Sequence, residues 1–208
     1  MVPKKLIQYW DNLPVPPDIA SLHATWPAIN PEIDCEIFNF DKALQFILSE
    51  YGSEIADLFT LAAIPAMQSD IFRLAYIFAK GGIYVDMATR CKTPIEPLLH
   101  HSDKVVFMRK WHGGIWNGMI IAEKQNPIVK TIWETVLDNI KHRKYDDVWK
   151  ATGPLSFNQT IDLAGDDTNY VIYPQNEMTQ YFELVNDLEH KKNAHWSEVQ
   201  KNKNIYLD

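Results

Sequence analysis

Apolar positions along this chain change period from block to block, and the changes predict an α/β layer fold. Leu6 to Trp10 is a short, mostly apolar run between Pro3 and the turn-rich Asp11-Asn12-Leu13-Pro14, which predicts a first buried strand. Within Pro17 to Ile29, Ile19, Leu22 and Trp26 recur at helical spacing, and Cys35 to Phe40 then alternates as a second strand. Asp41 is the expected N-cap of a helix through Tyr51, with Gly52 as its stop. From Ile64 to Lys80, Met67, Ile71, Leu74 and Phe78 trace one buried helix face that Gly81-Gly82 ends. Ile83-Tyr84-Val85 follows as a short strand ending on Asp86. Strands are also expected over Lys104 to Met108, Met119 to Glu123 and Tyr170 to Tyr173, and helices over Pro127 to about His142 and Leu155 to Ala164. A polar tail from Glu189 to Lys203, interrupted by His195-Trp196, comes last.

No repeat, low-complexity tract or linker divides the pattern, so a single domain over residues 1–208 is expected. The 46% hydrophobic share is enough for a substantial core. The formal charge of −7 argues against binding nucleic acid or anionic lipid by bulk electrostatics, so any phosphate must be held locally. Cys35 and Cys91 are too few for a disulfide framework and fit a reducing compartment, with cytoplasm the default. No run reaches the roughly 18 apolar residues of a membrane span, which leaves peripheral contact, at the inner face of a membrane, as the mode to expect. The seven Trp and nine Tyr suit both cores and stacking on sugars or bases.

Chemistry concentrates between Ser69 and Asp86. Asp70 and Arg73, at i, i+3, lie together on the helix away from its apolar stripe, and that spacing alone reads as a surface ion pair. Gly81-Gly82 then allows a sharp turn or close approach, and Asp86, thirteen residues after Arg73, follows at the carboxyl end of a strand, where ligands collect in open α/β sheets. Tyr84 shares its face under period two. A carboxylate there can anchor a ribose hydroxyl or a cation that neutralises a diphosphate.

Together, Gln68 to Leu74 and Lys80-Gly81-Gly82-Ile83-Tyr84-Val85-Asp86 resemble the sugar-nucleotide site of the glycosyltransferase family with an Asp-x-Asp sugar-binding region. That family includes the yeast initiating mannosyltransferase, bacterial capsular polysaccharide and lipooligosaccharide transferases and, more distantly, the glucosylating clostridial toxins. The opening Val2 to Trp10, a Pro-Lys strand ending in Trp, is similar to the family's start, with weaker echoes at Trp116 to Ala122, Thr152-Gly153-Pro154 and His195-Trp196. The resemblance implies a Rossmann-like A-type fold with a mixed central sheet flanked by helices. It also implies retaining transfer of a hexose from a UDP- or GDP-sugar to a glycan or polysaccharide acceptor. Trp10 would stack on the base, with Gln8 beside it on the first strand. Asp70 and Arg73 would contact ribose, sugar or phosphates, Tyr84 and Gly82 the phosphate region, and Asn117 the border of the sugar pocket. Asp86 and Arg73 would carry the chemistry.

The chain departs from the family at Asp86-Met87-Ala88, where alanine replaces the second acid and cannot coordinate a cation. Three arrangements follow. Asp86 holds manganese or magnesium with another ligand, for which His195 is the candidate. Alternatively, transfer is metal-free, with Arg73, or Arg90 and Lys92, stabilising the leaving group. In the third, the protein binds the donor with impaired catalysis, as a partner or regulatory subunit. Acceptor recognition is expected in the loops Lys110 to Trp116 and Asp166 to Glu183.

Overall fold

A computed structural model describes residues 1–101, 103–165, 169–188 and 196–207. The strands are β1 (Lys5–Tyr9), β2 (Asp34–Phe38), β3 (Gly82–Val85), β4 (Thr89–Cys91), β5 (Val105–Arg109), β6 (Ile115–Ala122), β7 (Tyr170–Pro174) and β8 (Phe182–Leu184). Helices α1 (Pro17–Ile29), α2 (Phe40–Tyr51), α3 (Ser53–Leu61), α4 (Pro65–Lys80), α5 (Pro127–Lys141), α6 (Val148–Ala151), α7 (Pro154–Ala164), α8 (Gln175–Met178) and α9 (Trp196–Val199) surround them.

The expected mixed α/β sheet is present. Six strands run in the order β2-β1-β3-β6-β5-β7, and β4 and β8 form a separate antiparallel pair. Every pairing in the large sheet is parallel except those of β6, which opposes both β3 and β5. The start of β6 is therefore brought to the carboxyl ends of its two neighbours.

Alternating side chains of these strands fill two cores. Ile7, Tyr9, Tyr84, Phe107 and Ile120 point into the layer that holds α2 to α5 and α7. Leu6, Ile83, Val85, Met108 and Met119 point the other way, toward Trp26 of α1, Cys91 and Phe182. With both faces covered, the strands carry the near-continuous apolar runs seen in the sequence.

Three expectations need correction. The N-cap of α2 is Asn39, whose side chain accepts from the Lys42 amide at 3.0 Å; Asp41 sits two residues further on, in the first turn, where its charge complements the helix dipole. Strand β6 starts at Ile115, four residues early, because pairing with β5 carries it past the apolar run. Most consequentially, α4 has no polar outer face at Asp70 and Arg73, which are 5% and 4% exposed. It packs on β1, β3 and β6 on one side and on α2, α3, α5 and α6 on the other.

Helix α3 and the β4–β8 pair were not foreseen. After α9 the chain returns to the α3–α4 connection, where Ala63 donates to the Ile205 carbonyl at 2.9 Å and Leu207 to the Leu61 carbonyl at 2.8 Å.

Candidate functional site

A cleft of about 700 Å³ opens at the carboxyl ends of β1, β3 and β5. Trp10 follows β1, Asp86 follows β3, Lys110 follows β5, and Trp116 and Asn117 begin the reversed β6. The middle of α4 supplies Ser69, Asp70 and Arg73 to one wall, while Trp149 and Trp196 stand on the wall built by the later helices. A smaller hollow of about 420 Å³ beside Arg143 and Tyr206 contains none of these groups.

Arg73 is the hub of the inner wall. Its Nη2 lies 3.1 Å from Asp70 Oδ1 and 3.1 Å from Asp86 Oδ1, and donates to Ser69 Oγ at 2.9 Å. Nη1 donates to the Asn117 carbonyl and Nε to the Ser69 carbonyl, while the guanidinium lies 4.4 Å from the centre of the Tyr84 ring. Desolvation opposes the buried charge, but Asp86, Tyr84 and Asp70 outweigh it and hold the guanidinium firmly protonated.

One guanidinium thus serves two carboxylates in unequal surroundings. Asp70 is fully enclosed, with Oδ1 accepting from Asn117 Nδ2 at 2.8 Å and Oδ2 from Thr152 Oγ1 at 2.9 Å. Burial pushes its carboxyl up to about 7 and Asp86 adds to the rise, against the pull of Arg73, Thr152 and Asn117. The Asp86 side chain is one-third exposed to the cleft. Its Oδ1 accepts from Tyr84 OH at 2.9 Å, and that phenol shares a 2.7 Å hydrogen bond with Ser69 Oγ.

The backbone at Asp86 is fixed as tightly as its side chain. Its amide donates to the Gly118 carbonyl at 2.9 Å, and its own carbonyl accepts from Gln8 Nε2 at 3.2 Å and Thr89 Oγ1 at 2.6 Å. A Cβ on Gly118 would lie 2.3 Å from both Asp86 Oδ2 and the Trp116 ring, so only glycine leaves room for that carboxylate.

The proposed site residues therefore occupy distinct places. Asp70, Arg73, Asp86, Asn117 and Trp10 line the cleft. Tyr84 is buried behind it, its phenol donating to Asp86 and accepting from Ser69 Oγ. Gln8 is also buried and bridges the Asp86 carbonyl to His23 Nδ1, 2.5 Å from its Oε1. Gly82, with φ +111°, is where β3 crosses β1 so closely that a Cβ would meet the Lys5 carbonyl oxygen at 2.7 Å. His195 lies outside the described residues. Arg90 pairs with Glu183 at 2.5 Å and Lys92 donates to the Thr179 carbonyl at 2.6 Å, both along the β4–β8 pair and neither on the cleft wall. Lys110, Thr152 and Trp149 gained no individual role from the sequence, since only the fold brings them to Asp86 and Asp70.

Residues 16–105 match the family described as "Glycosyltransferase sugar-binding region containing DXD motif". This span contains Asp70, Arg73, Tyr84 and Asp86. The chain resembles that glycosyltransferase family. Among its relatives, inositol phosphoceramide mannosyltransferase 3 of Schizosaccharomyces pombe is 23% identical over 158 residues, covering 74% of this chain and 43% of that protein. The initiation-specific alpha-1,6-mannosyltransferase of Candida albicans is 23% identical over 111 residues, covering 50% of this chain and 29% of that protein. The chain thus spans less than half the length of either. In solved structures the fold recurs in the PaToxG glycosyltransferase, with a TM-score of 0.59 and 21% identity over 76% of this chain and 67% of that one. It recurs again in the UDP-bound glycosyltransferase domain of the YGT toxin, with a TM-score of 0.53 and 9% identity over 86% of this chain and 58% of that one. This is the A-type glycosyltransferase fold that the sequence resemblance implies.

The segment that resembles the family's Asp-x-Asp reads Asp86-Met87-Ala88. Met87 turns into a small core with Ile19 and Leu22, and Ala88 presents a methyl group to the cleft. No group of three or more His, Cys, Asp or Glu side chains placed to hold a metal ion gathers among the described residues. Those residues do not by themselves form a cation cage.

Proposed function

We propose that this chain is a retaining glycosyltransferase that moves a hexose from a nucleoside-diphosphate sugar to a glycan or polysaccharide hydroxyl. The observation that carries the reading is the cluster in which Arg73 and Tyr84 hold Asp86 at the end of β3, at the mouth of the cleft. The match over residues 16–105 and the UDP-bound neighbour of the same fold support it.

In this reading Trp10 offers its ring to the base and the open edge of Asp86 faces the sugar and diphosphate. The outer wall, with Trp149 and Trp196, gives flat apolar faces suited to the rings of a glycan acceptor. The acceptor oxygen forms its bond to the anomeric carbon as the bond from that carbon to the β-phosphate oxygen breaks. The departing oxygen takes the bonding pair and then the acceptor's proton. Attack on the face from which the leaving group departs is favoured because both Asp70 oxygens are engaged and Arg73 and Tyr84 restrain Asp86. A trapped covalent glycosyl-enzyme would overturn this route.

The test is titration calorimetry with UDP- and GDP-sugars, with and without manganese or magnesium, followed by assays of transfer and donor hydrolysis. Wild type should bind and turn over a donor, and Asp86→Asn should reduce turnover at least about 100-fold while the fold survives. Tight donor binding with neither transfer nor hydrolysis would instead identify a donor-binding partner subunit, the role that Ala88 suggests.

A further inference from the structure

The cleft contains one positive charge that the network above does not consume. Among the described residues lining it, only Arg73 and Lys110 are lysine or arginine. Arg73 is 4% exposed and spends its donors on Ser69, Asn117, Asp70 and Asp86, so little of it remains for a ligand. Lys110 enters no ion pair among the described residues, and its ammonium stands 5.8 Å from the centre of the Trp116 ring.

The fold determines where Lys110 sits. It is the first residue after β5, in a tight connection to β6 in which its amide donates to the Gly114 carbonyl at 2.8 Å and its carbonyl accepts from Gly113 at 2.9 Å. The reversed β6 pairs with β3 on its other edge, so Lys110 and Asp86 share the same end of the sheet. Both groups line the cleft; burial lowers the Lys110 pKa, and the Asp86 charge opposes that shift.

Charge bookkeeping gives this placement a purpose. Two acids holding a divalent cation contribute no net charge; here Ala88 removes one acid, and Arg73 is committed to both Asp70 and Asp86. Among the described lysines and arginines lining the cleft, Lys110 is then the cation left to meet an entering diphosphate, with Asp11 a further acid on the wall. We propose that Lys110 binds the diphosphate of the donor and stabilises the charge that develops on the β-phosphate oxygen as the glycosidic bond breaks, a role the missing second acid would otherwise give to a metal. The inference rests on the donor-binding reading above. An ammonium suits the task because it is a compact charge with three donors that can follow the oxygens as they rearrange.

The experiment compares Lys110→Gln and Lys110→Arg with wild type by calorimetry in the presence of a chelator, using UDP, GDP and the two free nucleosides as probes. Thermal unfolding checks that each variant folds. The expected result is that Lys110→Gln binds the preferred diphosphate about 10-fold or more weakly, the nucleoside unchanged, and that Lys110→Arg restores most of the affinity. The diphosphate affinity of wild type should also fall more steeply with salt than that of Lys110→Gln. If wild type binds a diphosphate and Lys110→Gln binds it equally well, this inference fails and the donor-binding reading stands. If wild type binds neither diphosphate, with chelator or with manganese, both fail together.

Discussion

At the scale of single residues, the site depends on unequal treatment of like groups. Asp70 and Asp86 both contact Arg73, yet one is sealed behind Asn117 and Thr152 and the other opens to the cleft. Their exposure, not their residue type, sets how much of each carboxylate faces the cleft. Gly118 guards that distinction. The Gly118→Ala methyl would occupy space now held by Asp86 Oδ2 and the Trp116 ring. Because a side chain on the cleft wall can move aside, the variant should fold with a loss of about 1–3 kcal/mol but should bind donor at least about 10-fold more weakly. Parallel melting and donor titration check this, and wild-type donor affinity in Gly118→Ala would show that Asp86 need not stay where it is.

At the scale of elements, two features build the site. Helix α4 is buried on nearly every face, so its polar residues are forced to satisfy one another and the ends of β3 and β6. Strand β6 runs against its neighbours and thereby brings Trp116, Asn117 and Gly118 beside Asp86 and Lys110. The junction of the two, Gly81-Gly82, turns the chain directly from helix to strand, and Gly82 at φ +111° lies against the backbone of β1. Gly82→Ala should therefore cost at least about 1–3 kcal/mol from backbone strain alone, before the clash with Lys5 is counted. At this chain length that amounts to roughly 2–4 °C of melting temperature per kcal/mol, readable by calorimetry. An unchanged melting temperature would mean that β1 and β3 can separate without cost.

At the scale of the whole molecule, burying an acid couples stability to pH. An unfolded aspartate titrates near about 3.9, whereas Asp70 in the fold is pushed up to about 7 by desolvation. Between those values the folded state holds a proton that the unfolded state lacks. The Asp70 contribution is thus fully present below about pH 4 and is lost as pH rises through about 7. Urea unfolding of wild type and Asp70→Asn at pH 5, 6, 7 and 8 isolates this term. The stability of wild type relative to the variant should decline from pH 5 to 7 and level off above, and parallel pH profiles for the two proteins would exclude it.

Apolar periodicity and glycine stops are local properties of the chain, so the order of most strands and helices was legible along it. The sequence by itself also singled out Asp70, Arg73 and Asp86, whose spacing matches a family pattern. Asn39 displaced Asp41 as the cap of α2 because capping depends on where the chain leaves β2, a boundary that periodicity locates only approximately. The burial of the Asp70–Arg73 pair was not legible, since helical spacing describes one helix and not the elements packed against both its sides. Nor could the sequence place Lys110 or Thr152, which lie 24 and 66 positions beyond Asp86 and come to the site only through the reversal of β6 and the docking of the helices after α5. Residue types and local periods are written along the chain, whereas shared burial and charge balance arise only when distant segments exclude water together.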